Sequence, residues 1–165
     1  MLSPRTLGMK GLCEILPVVK MKDIKIRPLK ESELKVMSRL WTESGLHFKV
    51  RGRDSPSNLR RQRRSDPELF VGAFEGKKML GAVVASDDGR KAWINRLAVV
   101  PEARGRGIAT ALIRHCERNL RRRGRHIFCV HIEHDNPESV YLFRKEGYDR
   151  EDLIFYYTKR DSKDY

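Results

Sequence analysis

Leu97-Ala98-Val99-Val100-Pro101-Glu102-Ala103-Arg104-Gly105-Arg106-Gly107-Ile108-Ala109-Thr110 is the stretch on which the reading of this chain turns. An apolar, partly β-branched run closes at Pro101, which has no N–H with which to continue a ladder. Two glycines then permit a tight turn. Beyond them Ile108, Leu112, Ile113, Cys116 and Leu120 recur on one helical stripe, with Arg114, Glu117, Arg118 and Arg121 largely opposite. The spacing predicts a strand ending near Val100, a turn, and a helix over about 107–122. The first turn of such a helix leaves N–H groups unpaired, with about half a positive charge at that end. Gly105 and Gly107 let backbone approach a ligand without a Cβ in the way, and Arg104 and Arg106 add full charges. The stretch reads as a phosphate or pyrophosphate cradle. It is not a Walker A loop, because Gly-Lys-Ser/Thr is absent, and Thr110 stands where a dinucleotide fingerprint needs its last glycine. A glycine turn that merely joins strand to helix is the plain alternative, and this stretch alone does not separate the two.

Upstream, Ile24 and Ile26 predict a short strand stopped by Pro28. Glu31-Ser32-Glu33-Leu34 opens a helix carrying Met37, Leu40 and Trp41 and ending near Gly45. Ser55-Pro56-Ser57 caps an Arg-rich helix over about 57–64, whose single apolar residue, Leu59, predicts a mobile, solvent-facing element. Strands at Leu69 to Phe74 and Met79 to Ala85 flank the turn Glu75-Gly76-Lys77-Lys78, and a third antiparallel strand is expected from Ala92 to Val100. Downstream come a strand from His126 to Glu133, a helix opened by Asn136-Pro137 and stopped at Gly147, and a last strand from Leu153 to Thr158. A β-meander followed by α-β-α-β predicts an α/β fold. Its sheet is mixed, mostly antiparallel and six- to seven-stranded, with helices on both faces.

The chain has 165 residues, so one domain is the default, expected over 21–160 between an N-terminal extension (1–20) and a charged tail (161–165). Residues 1–20 superficially resemble a secretory leader, but Glu14 interrupts the apolar run and no small-x-small cleavage site follows. No apolar stretch approaches the roughly 20 residues that span a bilayer. Three cysteines, Cys13, Cys116 and Cys129, are an odd number without a CxxC, so neither a disulfide framework nor a metal site is expected. A cytoplasmic protein is the resulting expectation.

The formal net charge is +13, and it is local. His47 to Arg64 carries +6 and Arg104 to Arg125 carries +7, so the remaining 125 residues sum to zero. Charge confined to two windows points to specific polyanion contacts. Nucleic acid is disfavoured, since neither window interleaves aromatics and no helix-turn-helix or RNA-motif pattern appears.

Arg104-Gly105-Arg106-Gly107-Ile108-Ala109 resembles the Arg/Gln-x-x-Gly-x-Gly/Ala loop of the GNAT acyl-CoA N-acyltransferase superfamily, and Val99-Val100-Pro101 resembles its strand-end signature. About thirty residues on, Asn136-Pro137-Glu138-Ser139-Val140-Tyr141-Leu142-Phe143-Arg144-Lys145-Glu146-Gly147-Tyr148 is similar to the family's second motif, an Asn-capped helix ending in Gly-Phe/Tyr. The resemblance spans about Met21 to Tyr157, and its wording is nearest the subgroup that acetylates protein N-termini, ribosomal proteins included. It implies acetyl-CoA as co-substrate, its pyrophosphate on Arg104, Gly105, Arg106, Gly107, Ile108 and Ala109, with a hydroxyl from Thr110. It further implies that the pantetheine pairs like an extra strand with Leu97, Ala98 and Val99, where one N–H supports the thioester oxygen, and that Asn136 bonds the pantetheine arm. Family members are often dimers, so a homodimer is a further expectation.

The implied reaction is direct attack of a neutral amine on the thioester, and an alkyl ammonium must first lose a proton. Alternation from Phe128 to Glu133 puts Cys129, His131 and Glu133 on one face. His131 stands where the N-terminal-acetylating relatives often carry a glutamate base, and histidine is the side chain that changes charge near neutral pH. Glu133 is the second candidate. A strand histidine that only packs or faces solvent is the bland alternative. The relatives commonly place an acidic tyrosine seven residues after the Asn; here that position is Phe143, left to pack on the acetyl-pantetheine end. A catalytically silent acyl-CoA sensor therefore stays open beside the enzyme. In the family the first two helices usually wall the acceptor site. Arg51, Arg53, Arg60, Arg61, Arg63 and Arg64 there imply an acceptor that is neutral or acidic around its amine, such as a peptide N-terminus or an amino-acid-like molecule.

Overall fold

In the computed structural model, which describes residues 23–162, the sheet starts from three strands with little choice of neighbour. β1 (Ile24–Pro28) and β2 (Phe70–Glu75) pair antiparallel, as do β2 and β3 (Lys78–Asp87). The two-residue turn between β2 and β3 places Gly76 at φ +57, the left-handed geometry that hairpin turns require. β3 then carries two partners along its other edge, β4 (Ala92–Ile94) and β5 (Ala98–Val99), both antiparallel. β6 (Phe128–Val130) adds to β4 in parallel, giving a six-stranded, mostly antiparallel sheet.

Helices cover both faces, as expected. α1 (Leu34–Glu43) and α2 (Pro56–Ser65) lie on one side and α3 (Ile108–Arg122) on the other. α3 forms where its stripe predicts, and Leu112, Ile113, Cys116 and Leu120 are completely buried. The contact is close: a Cβ on Gly81 would come within 3.1 Å of Ile108 Cγ2 and 3.2 Å of Leu112 Cδ1, so those side chains would have to give by a few tenths of an ångström. α2 is capped by Ser55, whose hydroxyl accepts from the Asn58 N–H, and it is anchored rather than loose. Leu59 is 3% exposed, Arg63 Nε donates to the Leu29 carbonyl at 2.7 Å, and Arg64 is bidentate on Glu31.

α4 (Pro137–Lys145) begins at Asn136, whose Oδ1 accepts from the Ser139 N–H at 3.0 Å. Its C-terminal end is tied to α3. Tyr148 donates to Glu117 at 2.8 Å, and Glu146 accepts from Thr110 and Arg114. Burial, reinforced by donation to the Glu117 carboxylate, pushes the Tyr148 phenol far above its ordinary range.

Two strand expectations are corrected. Ala92 to Val100 is not one strand but two, because the register against β3 slips. Asn95 N–H donates to Val84, while Ala98 pairs with Ala82, so Arg96 and Leu97 together oppose the single residue Val83. That is a β-bulge, which bends its strand and raises the local twist. Leu153 to Thr158 forms no strand. Strand propensity cannot supply a partner, and what this segment meets is His131, just past the end of β6, through Tyr156. Leu153, Ile154, Phe155, Tyr156 and Tyr157 are all exposed. The third strand expectation is shortened: His126 to Glu133 reduces to Phe128–Val130, with Phe128, Val130 and Ile132 packed against the core as alternation requires. The N-terminal extension expected over 1–20 lies outside the described residues.

The charged windows are largely internal ties. Arg121 pairs with Glu117, Arg123 with Asp66 and Arg125 with Asp87, fastening the end of α3 to the loop before β2 and to the end of β3. The Arg125 guanidinium, first among its causes, holds the Asp87 carboxyl below the usual range. Beside it Asp88 is lowered to about 2 by the Lys91 and Arg90 backbone N–H groups, which fix the β3–β4 turn. Among the described residues no helix is long and apolar enough to cross a membrane, and no cluster of His, Cys, Asp and Glu is placed to hold a metal ion.

Candidate active site

The glycine loop is built as a donor surface. Gly105 and Gly107 sit at φ +73 and +77, a region costly for any other residue, and nothing lies within 4 Å of where their Cβ atoms would be. Gly107 is the N-cap of α3 and brings no side chain to the first N–H groups, those of Ile108, Ala109 and Thr110. Ile108 is buried beneath the turn, whereas Ala109 and Thr110 are half-buried. Arg104 reaches only carbonyls, those of Val99 and Ser44, so its charge is uncompensated. Arg106 is paired with Glu75 at 2.8 Å, yet its buried Nε–H has no partner. Nor has the buried Ser44 hydroxyl, one residue past α1 and next to the carbonyl that Arg104 holds. Orphaned buried donors beside open glycine backbone fit a pyrophosphate and leave room for one. Thr110 is the exception, since its hydroxyl donates to Glu146 at 2.9 Å.

From this loop a groove runs along β5. β4 and β6 pair only as far as Ile94 and Val130. Past the bulge at Arg96 and Leu97, β5 pairs with β3 alone while β6 has already ended, so two backbone edges part. Val100 N–H donates to Leu80 on β3, and alternation therefore turns the polar groups of Leu97 and Val99 toward the parted side, with Ala98 facing β3. The Val99 carbonyl takes Arg104 Nε from that side at 3.3 Å. An extended chain lying in the groove would find unused backbone donors and acceptors along one wall.

At the bulge, on the α1–α2 face, an open cavity of about 190 Å³ is lined by Trp41, Arg53, Asp54, Ser86, Asn95 and Arg96, among others. Asp54 is its anchor. The carboxylate is 7% exposed and accepts from Arg96 Nε and Nη2 at 3.2 and 2.8 Å and from the Lys49 N–H at 2.8 Å. This joins the α1–α2 connection to the bulge itself. Asn95 donates to Ser86 across the same floor.

The two candidate bases separate. His131 follows β6 and is stacked between Trp93 (centroids 4.8 Å apart) and Tyr156 (4.4 Å). Trp93 pairs in register with Ser86, a cavity residue. Glu133 lies further along, 3.7 Å from exposed His47. Asn136 is exposed, with its oxygen used as the cap of α4. Phe143 is 4% exposed and packs edge-on against Tyr148 at 5.0 Å, so it belongs mainly to the core; Tyr141 is exposed on another side of α4. Burial pushes the Cys116 thiol up to about 12, leaving it no nucleophilic role.

Ser44, Asp54 and Arg96 entered the site only through the fold. In the sequence Asp54 is simply the one acid of the +6 window. Of the six arginines expected on the acceptor wall, Arg53 lines this cavity, while Arg63 and Arg64 are turned to Leu29 and Glu31.

The comparisons agree with this geometry. Residues 34–148 match the model of the acetyltransferase (GNAT) family. Acetyltransferase YE1169 of Yersinia enterocolitica is 30% identical over 132 residues, covering 79% of this chain and 92% of the relative. Acetyltransferase plu1384 of Photorhabdus laumondii is 30% identical over 135 residues, covering 80% and 93%. Among solved structures, a PaiA N-acetyltransferase from Thermoplasma acidophilum in complex with coenzyme A superposes with a TM-score of 0.70 at 22% identity, covering 79% of this chain and 92% of that one. The aminoglycoside enzyme AAC(6')-Iy, bound to a CoA bisubstrate analogue, gives 0.69 at 18% identity, covering 83% and 98%. With the family model matched over residues 34–148, this chain belongs to the GNAT acetyltransferase family.

Proposed function

We propose that the chain moves the acetyl group of acetyl-CoA directly to a primary amine seated in the cavity at the bulge. One observation carries this reading: the bulge at Arg96 and Leu97 joins the unpaired edge of β5 to the cavity, which Asn95 and Arg96 line. A thioester held along Leu97 to Val99 would then meet an amine arriving from the α1–α2 face. Arg104, Arg106 and the N–H groups opening α3 hold the pyrophosphate, and an N–H of the Leu97–Val99 edge takes the thioester oxygen. The amine nitrogen bonds to the acetyl carbon as the C–S bond breaks. The proton lost by the amine passes to His131, directly or through water, and Glu133 is the second candidate for that role.

The thiolate leaves without a protein acid. Phe143 cannot supply a proton, and a thiol whose ordinary pKa is roughly 8.5 needs little help to depart. The acceptor is neutral or acidic around its amine, because Arg53 and Arg96 stand at the cavity and Asp54 is already engaged.

The test is release of free CoA from acetyl-CoA over a panel of amines, with His131→Ala beside the native chain. Loss of one proton acceptor is expected to lower kcat by about 10²–10³-fold at neutral pH, less at high pH where the amine deprotonates unaided. Acetyl-CoA binding should be unchanged. Binding without turnover on any amine would favour a silent acyl-CoA sensor instead.

A further inference from the structure

The cavity at the bulge is rich in donors and poor in acceptors. Its ionisable lining residues are Arg53, Arg96 and Asp54, two guanidinium groups to one carboxylate. Asp54 spends its oxygens on Arg96 and the Lys49 N–H, with Arg53 Nε a further 3.6 Å away. Arg96 uses Nε and Nη2 on Asp54, which leaves Nη1 without a partner among the described residues. Trp41 adds an independent sign. It lines the cavity and is fully buried, and its indole N–H has no partner. A buried donor is seldom left orphaned, and one on a cavity wall marks where an acceptor atom of a ligand belongs. Asn95 donates to the Ser86 hydroxyl, and the amide oxygens of Asn95 and Gln62 are neutral acceptors that leave the balance of charge unaltered.

On the reading that this cavity holds the acceptor, we propose that it binds a carboxylate carried by the acceptor amine. The substrate class is then an amino acid or a short peptide with an acidic side chain next to its amino terminus. Arg53, whose side chain is half-exposed, and the free edge of Arg96 hold the carboxylate, and Trp41 Nε1 donates to one of its oxygens. A volume of about 190 Å³ takes a carboxylate and a few carbons, and excludes a bulky polycation on size as well as charge. Asp54 keeps both arginines aimed and is a positioning residue.

The experiment compares isosteric acceptors that differ only in this charge. Gly-Glu amide is set against Gly-Gln amide, and free alanine against alaninamide, each with acetyl-CoA and the full chain. The carboxylate member of at least one pair is expected to show kcat/KM higher by roughly tenfold, chiefly through KM, as for a charge-assisted contact at a half-exposed site. Which pair responds separates a peptide from a free amino acid. Arg53→Gln should reduce that preference to about threefold or less, chiefly by raising KM for the carboxylate member, and Arg53→Lys should restore part of it. A readout without turnover is binding of N-acetyl-Gly-Glu amide to the CoA-loaded chain by calorimetry, expected to weaken by a similar factor in Arg53→Gln. Equal kcat/KM within both pairs, or a preference indifferent to Arg53→Gln, would overturn the inference. Brisk turnover of cationic amines would sink it while leaving acetyl transfer intact, whereas failure to bind acetyl-CoA at all would sink both.

Discussion

Replacing Gly107 by valine is expected to weaken acetyl-CoA binding by at least about 100-fold while leaving the chain folded. Gly107 sits at φ +77, where a residue with a Cβ is strained by about 1–2 kcal/mol, more when β-branched. That strain lowers stability modestly, because nothing else is packed where the side chain would go. The cofactor suffers far more. The empty space over Gly107 is where a diphosphate must come to reach the first N–H groups of α3, and a valine would both fill it and rotate the cap. Each charge-assisted bond to backbone is worth about 1.5–3 kcal/mol, so losing two accounts for the 100-fold. Calorimetric titration of acetyl-CoA measures the affinity, and thermal unfolding the cost to the fold. Gly107→Ala should fall between the two. Unchanged affinity in the valine variant would remove the loop from the binding site.

Asp54→Ala carries the largest expected effect on stability, about 3 kcal/mol. Removing one partner of a buried ion pair typically costs ~3–5 kcal/mol, because the other charge is left without compensation. The low end applies here, since the Arg96 side chain keeps one fifth of its exposure. The Lys49 N–H loses its acceptor as well. For a chain of this size the change corresponds to a fall of roughly 6–12 °C in Tm. Denaturant unfolding of the single variant and of Asp54→Ala/Arg96→Leu forms the check, and the double variant should recover part of the loss. A single variant within about 1 kcal/mol of the native chain would mean that this pair does not fasten the α1–α2 connection to the bulge.

Local signals and tertiary ones were unequally legible in the sequence. α3 was readable to within a residue because its stripe has one period and its start is punctuated by glycine. The loop was readable for the same reason, since φ above zero and an uncapped N-terminus are properties of a few consecutive residues. The bulge was not. Ala92 to Val100 is uninterrupted strand material, and only the register against β3 shows that Arg96 and Leu97 share one partner. Leu153 to Thr158 failed in the opposite sense, for it is a run of strand-prone apolar and aromatic residues with no ladder to join. The Asp54–Arg96 pair spans 42 residues and announced itself by no spacing at all. The arginines after α3, puzzling as a bare charge run, became intelligible once Asp66 and Asp87 were beside them.

The central claim is that the glycine loop and the bulged strand form one continuous groove for acetyl-CoA. Amide hydrogen exchange, resolved residue by residue by NMR with and without acetyl-CoA, tests it most directly. Slowed exchange at Ile108 to Thr110 together with the outward-facing amides of Leu97 and Val99 is the predicted result. Slowing at the loop alone, with Leu97 and Val99 unchanged, would contradict it.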